Sequence, residues 1–190
     1  MLESFLSTQR SDFASSLIRP IPIKKRILDI GCGTTPVFLS KIDFVEKYGL
    51  DKINDSIRQD HVVDKIKLIN FDIEKNDKLP FADNYFNAVT MLAVIEHISH
   101  GKIPAFLAEV YRVIAPGGIY VMTTPSSWTG GLLNIMARLR LLSAVEIDDH
   151  KTAWKHSQLS SMLNQAGFQK SLVRCGYFEM YANSWFAAAK

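Results

Sequence analysis

Cysteine is scarce in this chain. Cys32 and Cys175 are its two, far apart and neither within a CxxC, which argues against a disulfide scaffold and against a structural zinc site. With 10 glycines and 7 prolines in 190 residues, the collagen-like and low-complexity classes fall away. One-sided charge is missing as well. The 22 basic and 19 acidic residues leave a net charge of +3, a mild bias that speaks against a dedicated nucleic-acid binder and leaves room only for a local basic patch. No uninterrupted apolar run approaches the ~20 residues that span a bilayer. The opening MLESFLSTQRSDF lacks the basic-then-apolar order of a signal peptide. The expectation is a soluble cytoplasmic protein without a transmembrane segment.

What is present is a chain 47% hydrophobic, enough for one domain burying roughly 70% of its unfolded surface. Its first 22 residues scatter apolar side chains at helical spacing, closed by Pro20 and Pro22. KKRILDIGCG then sets a short apolar run against glycines, the pattern of a buried parallel strand. Further strands are predicted ending at Tyr48-Gly49-Leu50-Asp51, over residues 66–72 (IKLINFD), 86–92 (FNAVTML) and 119–124 (IYVMTT), and near the C-terminus over 169–174 and 181–189. Between the fourth and fifth, Ile103, Phe106, Leu107, Val110, Val113 and Ile114 share one helical face, stopped by Ala115-Pro116-Gly117-Gly118. SQLSSMLNQAGF reads as a later helix ending at Gly167. Strands alternating with helices predict an α/β, Rossmann-like, doubly wound and mostly parallel sheet with helices on both faces. Such sheets bind ligands at the carboxyl ends of their strands.

The strand ends therefore carry the chemistry. After strand one, Asp29-Ile30-Gly31-Cys32-Gly33 offers glycines that let the backbone turn tightly and approach a ligand, and Asp29 could face an ammonium group. Asp51 closes strand two, where a carboxylate can accept from both hydroxyls of a ribose. Asp72 closes strand three, within reach of an adenine amino group, and Leu92-Ala93-Val94 follows strand four with apolar surface for an adenine ring. A lone GxG is a common turn, and a lone strand-end aspartate is often a helix cap. Their order on consecutive strand ends describes an adenosine-containing ligand. A dinucleotide fingerprint wants G-x-G-x-x-G/A, and Pro36 occupies the third glycine's place. A pyrophosphate is disfavoured beside Asp29, whereas a cofactor bearing an ammonium and a sulfonium is not. No GK[ST] follows the glycines, which excludes a P-loop.

These motifs resemble the class I S-adenosylmethionine-dependent methyltransferases, closest to the small-molecule type that includes the ubiquinone and menaquinone biosynthesis enzymes. ILDIGCGT is similar to their first motif, YGLD to the acidic end of strand two, and FDIEKNDKLPFADNYFNAV to the adenine-side motif and fourth strand. EVYRVIAPGGIYVMTTP resembles the helix, turn and fifth strand that follow. The resemblance runs from about Arg26 to the C-terminus. It implies S-adenosylmethionine as cofactor and S-adenosylhomocysteine as product. It places Gly31, Cys32 and Gly33 along the methionine part, Asp29 at the ammonium, Asp51 at the ribose, Asp72 and the Ile73 backbone at the adenine, and Leu92 and Ala93 beside the adenine and methyl donor. It also implies a seven-stranded sheet whose last strand is antiparallel. Thr35 replaces the family's frequent third glycine, and the short stretch between Gly33 and Tyr48 predicts an abbreviated first crossover helix.

On the acceptor side, His97 and His150 are candidate general bases, His150 with Asp148 and Asp149 close enough in sequence to orient it. The bland alternatives are a packing or capping His97 and a surface His150. The pairs His97–His100 and His150–His156 lack the spacing of a metal site. Residues 125–156 form the expected substrate-side insert of a single domain spanning 1–190. The expected partner is a small-molecule acceptor methylated at oxygen, a saccharide or another biosynthetic intermediate. Nucleic acid is not expected, since strand four ends in MLAV rather than a base-holding Asn/Asp-Pro-Pro-aromatic, and both cysteines read as small buried residues. Two rivals stay open: a non-catalytic cofactor-binding scaffold, and a nicotinamide-dependent oxidoreductase.

Overall fold

Side chains of the central strands alternate between two faces yet are buried nearly continuously, so one sheet presents two apolar faces and each needs its own cover. The computed structural model describes residues 2–52, 61–63, 65–126 and 154–190. Its strands are β1 (Arg26–Ile30), β2 (Glu46–Asp51), β3 (His61–Val63), β4 (Ile66–Asn70), β5 (Phe86–Leu92), β6 (Ile114–Pro125), β7 (Val173–Phe178) and β8 (Asn183–Ala189). Its α-helices are α1 (Leu2–Ile18), α2 (Val37–Lys41), α3 (Ile103–Val113) and α4 (His156–Gln165). The strands lie in the order β3-β4-β2-β1-β5-β6-β8-β7. From β4 to β6 all neighbours are parallel, while β8 runs antiparallel to both β6 and β7. The order reverses direction between β1 and β5, which opens a crevice at their carboxyl ends.

Ile27, Ala88, Ile119, Val121 and Ala187 point to one face, where Ala14 and Ile18 of α1 and Phe38 and Leu39 of α2 cover them. Leu28, Ile30, Val89, Met91, Met122 and Phe186 point to the other, beneath Phe106, Leu107 and Val110 of α3 and Leu159 and Leu163 of α4. In α1, the buried positions Ser11, Ala14 and Ile18 make a narrow stripe at helical spacing. Because α1 lies on the same face as Asp29 and Thr90, it roofs part of the crevice.

The predicted fold class holds: a doubly wound, mostly parallel sheet with antiparallel β8 near its edge. A short strand not foreseen, β3, adds an eighth member antiparallel to β4. The third strand stops at Asn70, ahead of Asp72, which sits in the following turn. The strand expected over 169–174 is displaced to β7, because residues Lys170–Leu172 form a 3₁₀ turn first. The last strand begins at Asn183 rather than 181. The stop expected at residues 115–118 is absorbed into β6 as an irregularity: Ile114 pairs with Phe86, and pairing resumes with Ile119 opposite Ala88. Cys175 is exposed on β7 and Cys32 is half-buried, so the reading of both cysteines as buried does not hold. The abbreviated first crossover is real, since α2 has five residues. Of the insert, 127–153 lie outside the described residues, and so does His150.

Arg112 on α3 fastens the loop before β5. Its guanidinium donates to the Phe81 carbonyl (2.8 Å), the Leu79 carbonyl (3.1 Å), Asp83 (2.7 Å) and Glu109 (2.7 Å). Glu109 in turn accepts from the Leu79 N–H at 2.8 Å. Phe81, Tyr85, Phe86 and Tyr48 then pack edge to face beside it.

Candidate cofactor site

The loop after β1 is shaped by two left-handed glycines, Gly31 at φ +77 and Gly33 at φ +70. The Gly31 N–H donates to the Leu50 carbonyl at 2.7 Å and the Gly33 N–H to Asp51 Oδ2 at 2.6 Å, so the loop folds over the end of β2. A Cβ on Gly31 would lie 2.2 Å from Val94 Cγ2, whereas one on Gly33 would meet only the Thr35 backbone N at 3.9 Å. Gly33 therefore fronts open space with bare backbone. Cys32 turns inward over Gly49, where a Cβ would stand 2.6 Å from its sulfur. Burial pushes the Cys32 thiol up, and the Asp29 and Asp51 carboxylates push it further, so it stays protonated and is no nucleophile.

Asp29 is 4% exposed and accepts a 2.6 Å hydrogen bond from the Thr90 hydroxyl. Burial raises its carboxyl from 3.8 to about 7, against the Thr90 hydrogen bond and with help from the Asp51 charge. A buried carboxylate so destabilised is suited to a cationic partner. Burial would also raise Asp72, but the Glu74 N–H (2.9 Å) and the Lys52 and Lys75 ammoniums outweigh it and hold the carboxyl below its ordinary value. Part of Asp72 thus serves its own turn, as the cap reading anticipated.

Two cavities flank Gly31. The larger, ≈ 340 Å³, brings together Asp51, Asp72, Ile73, Val94 and His97. The smaller, ≈ 100 Å³, brings together Asp29, Cys32 and Leu92 with Arg10 and Ser11 of α1. Ala93 lies between them in a left-handed turn at φ +57, its N–H bonded to the Thr123 carbonyl at 3.0 Å. Asp51, Asp72 and Ile73, inferred for ribose and adenine, therefore meet in one cavity, and Asp29, Gly31 and Cys32, inferred for the methionyl end, meet in the other together with Leu92, while Gly33 and Ala93 line neither. His97 lies on the nucleoside side with Asp72, not beside Leu92. Sequence reasoning missed Thr90, whose signal was a polar residue set between Val89 and Met91 within the strand FNAVTML. It did not place Arg10 at the smaller cavity either, because nothing linear says that α1 folds back over β5 and β6.

The donor set fits S-adenosylmethionine better than a dinucleotide. An α2 of five residues offers little helix dipole to a pyrophosphate, while Asp29 and the bare Gly33 backbone suit an aminoacyl chain. Comparison with known proteins decides the family. A family model described as a methyltransferase domain matches residues 4–172. The chain belongs to the methyltransferase-domain family. The methyltransferase-domain relatives include the ubiquinone/menaquinone biosynthesis C-methyltransferase UbiE of Neisseria meningitidis, 33% identical over 99 residues. That alignment covers 49% of this chain and 40% of the relative, so the chain spans well under half the length of the curated relatives it matches first. The UbiE of Nitrosospira multiformis is 25% identical over 181 residues, covering 84% of this chain and 72% of its own. In fold, a SAM-dependent methyltransferase from Archaeoglobus fulgidus superposes with a TM-score of 0.68 at 20% identity, over 95% of this chain and 94% of its own. Membership of the methyltransferase-domain family implies S-adenosylmethionine as cofactor. No helix among the described residues is long and apolar enough to cross a membrane.

Proposed function

We propose that this protein transfers a methyl group from S-adenosylmethionine to a small-molecule acceptor. The observation that carries the reading is the pairing of two cavities across Gly31, one acidic at Asp51 and Asp72 and one holding the buried, cation-seeking Asp29. The cofactor, when bound, supplies a methyl group already activated by its sulfonium. The chain's task is then to hold donor and acceptor in line, worth up to ~7–11 kcal/mol of the barrier. Asp51 would hold the ribose, Asp72 and the Ile73 backbone the adenine, and Gly31, Cys32, Gly33 and Asp29 the methionyl part, with Leu92 and Ala93 at the methyl donor.

Oxygen was the acceptor atom expected from the sequence, whereas the curated relatives are named C-methyltransferases. A phenolic acceptor presents both an oxygen and an adjacent ring carbon, and product analysis separates them. A general base adds ~10²–10⁴-fold where the nucleophile must lose a proton. The place of His97 beside Asp72 favours a part in lining the nucleoside cavity, which leaves His150 as the base candidate. Calorimetric titration with S-adenosylhomocysteine beside NADH tests the cofactor. Micromolar binding of the first alone is expected; binding of NADH alone would move the oxidoreductase ahead. Methylation of no acceptor by a protein that binds the cofactor would favour the scaffold.

A further inference from the structure

The two edges of the sheet differ. β3, at one edge, is three residues long, and so short a strand offers little to a partner. β7, at the other, has six residues (VRCGYF) paired to β8 in unbroken register from Val173 to Phe178. Among the described residues, no backbone hydrogen bond joins β7 to anything but β8. The devices that commonly blunt an edge are missing from it: it has no proline, no bulge, and one charge, Arg174. Arg174, Cys175 and Tyr177 are exposed, as is Leu172 just before the strand. Neither cavity beside Gly31 is lined by a residue of β7, so this edge is separate from the cofactor site.

The strand is complementary to itself. Lys170 precedes it and Glu179 follows it, so antiparallel pairing of two copies sets unlike charges together, whereas parallel pairing would set like charges together. A two-fold axis perpendicular to the sheet gives the antiparallel arrangement and joins like face to like face. Cys175 and Tyr177 lie on the α4 face, where Cys175 stands opposite Phe186 and the Tyr177 ring stacks on His156 at 4.3 Å. Phe178 lies on the α1 face, stacked on Phe13 at 4.6 Å. Same-face pairing allows three central registers. Centring on Arg174 opposes two guanidiniums, and centring on Gly176 opposes two residues without side chains. Centring on Cys175 sets Val173 against Tyr177, Leu172 against Phe178 and Arg174 against Gly176, each twice. That register gives β-branched–aromatic and aliphatic–aromatic pairs and opposes no like charges. We propose that the protein self-associates through β7, continuing its eight-stranded sheet into that of a second copy across a two-fold axis at Cys175.

One strand pair falls below the ~1,200 Å² of a standard interface, so a micromolar dissociation constant is expected, read by sedimentation velocity of the full chain from about 1 to 200 µM. Cys175→Lys opposes two ammoniums at the axis and should stay monomeric over the same range. Its circular-dichroism spectrum and melting temperature at the lowest concentration should match those of the unaltered protein. Opposed residues stand ~4.5–5.5 Å apart at Cβ, so bismaleimidoethane, a short thiol cross-linker, should join Cys175 of two copies. Cys175→Ser should abolish that product. The cross-link is read on the unaltered chain and does not depend on how a variant folds. A protein that is monomeric up to the highest concentration overturns the proposal. So does a dimer that Cys175→Lys leaves intact, or a dimer whose Cys175 thiols do not cross-link.

Discussion

Replacing Asp29 by Asn should make the protein without cofactor more stable at alkaline pH and, in the same stroke, weaken cofactor binding. The carboxyl has an ordinary value of 3.8 and stands at about 7 in the folded chain, chiefly through burial. Its folded value lies above its unfolded one, so its stabilising contribution is complete below pH 3.8 and is lost as the pH rises toward 7. Each pH unit between those limits costs about 1.4 kcal/mol. Between pH 5 and pH 8 the unaltered protein should therefore lose roughly 2–3 kcal/mol that an uncharged Asn does not lose. Asn also accepts from the Thr90 hydroxyl, which keeps the local hydrogen bond. The assay is urea unfolding of both proteins at the two pH values. The stability of the variant relative to the parent should rise by that amount, which corresponds to roughly 4–12 °C in melting temperature for a domain of this size. With saturating S-adenosylhomocysteine, an ammonium beside Asp29 should remove the loss in the parent, so that the pH-dependent difference between the two proteins disappears. A stability difference that does not change with pH would refute the assignment of Asp29 as the buried group that the cofactor neutralises.

Asp51→Ala should weaken S-adenosylhomocysteine by at least ~1–3 kcal/mol, because it strips the proposed ribose acceptor and also the partner of the Gly33 N–H. Unchanged affinity in a folded variant would remove the ribose assignment. Far from the site, Arg112→Ala should destabilise the fold by about 2–3 kcal/mol in urea unfolding, since it frees the Leu79 and Phe81 carbonyls and orphans Glu109. Arg112 holds the Glu109 carboxyl below its ordinary value, so the stability from this pair should fade on the acid side of that value, and the variant should show less of this acid loss.

The sequence alone was sufficient for the order of the main strands and helices and for which residues stand at the ends of β1 and β2. Short apolar runs bounded by glycine, such as ILDIGCG, cannot be solvated, and the alternation of β and α periods admits few topologies. Asp51 and the glycine loop were legible because a residue at a strand's carboxyl end is placed by the strand itself. Edge and turn detail was not legible. β3 is three residues long, β7 starts after a 3₁₀ turn, and β6 absorbs residues 115–118 in an irregular register; each is fixed by neighbouring strands rather than by local propensity. Tertiary structure alone decided that Asp29 is buried against Thr90, since a period-two pattern says which residues share a face but not how deeply the face is covered. It also decided that Arg10 and Asp29 line one cavity. That encounter joins a helix at one end of the chain to a strand in the middle of the sheet, and only the packing of α1 over β5 and β6 brings the two charges to one place.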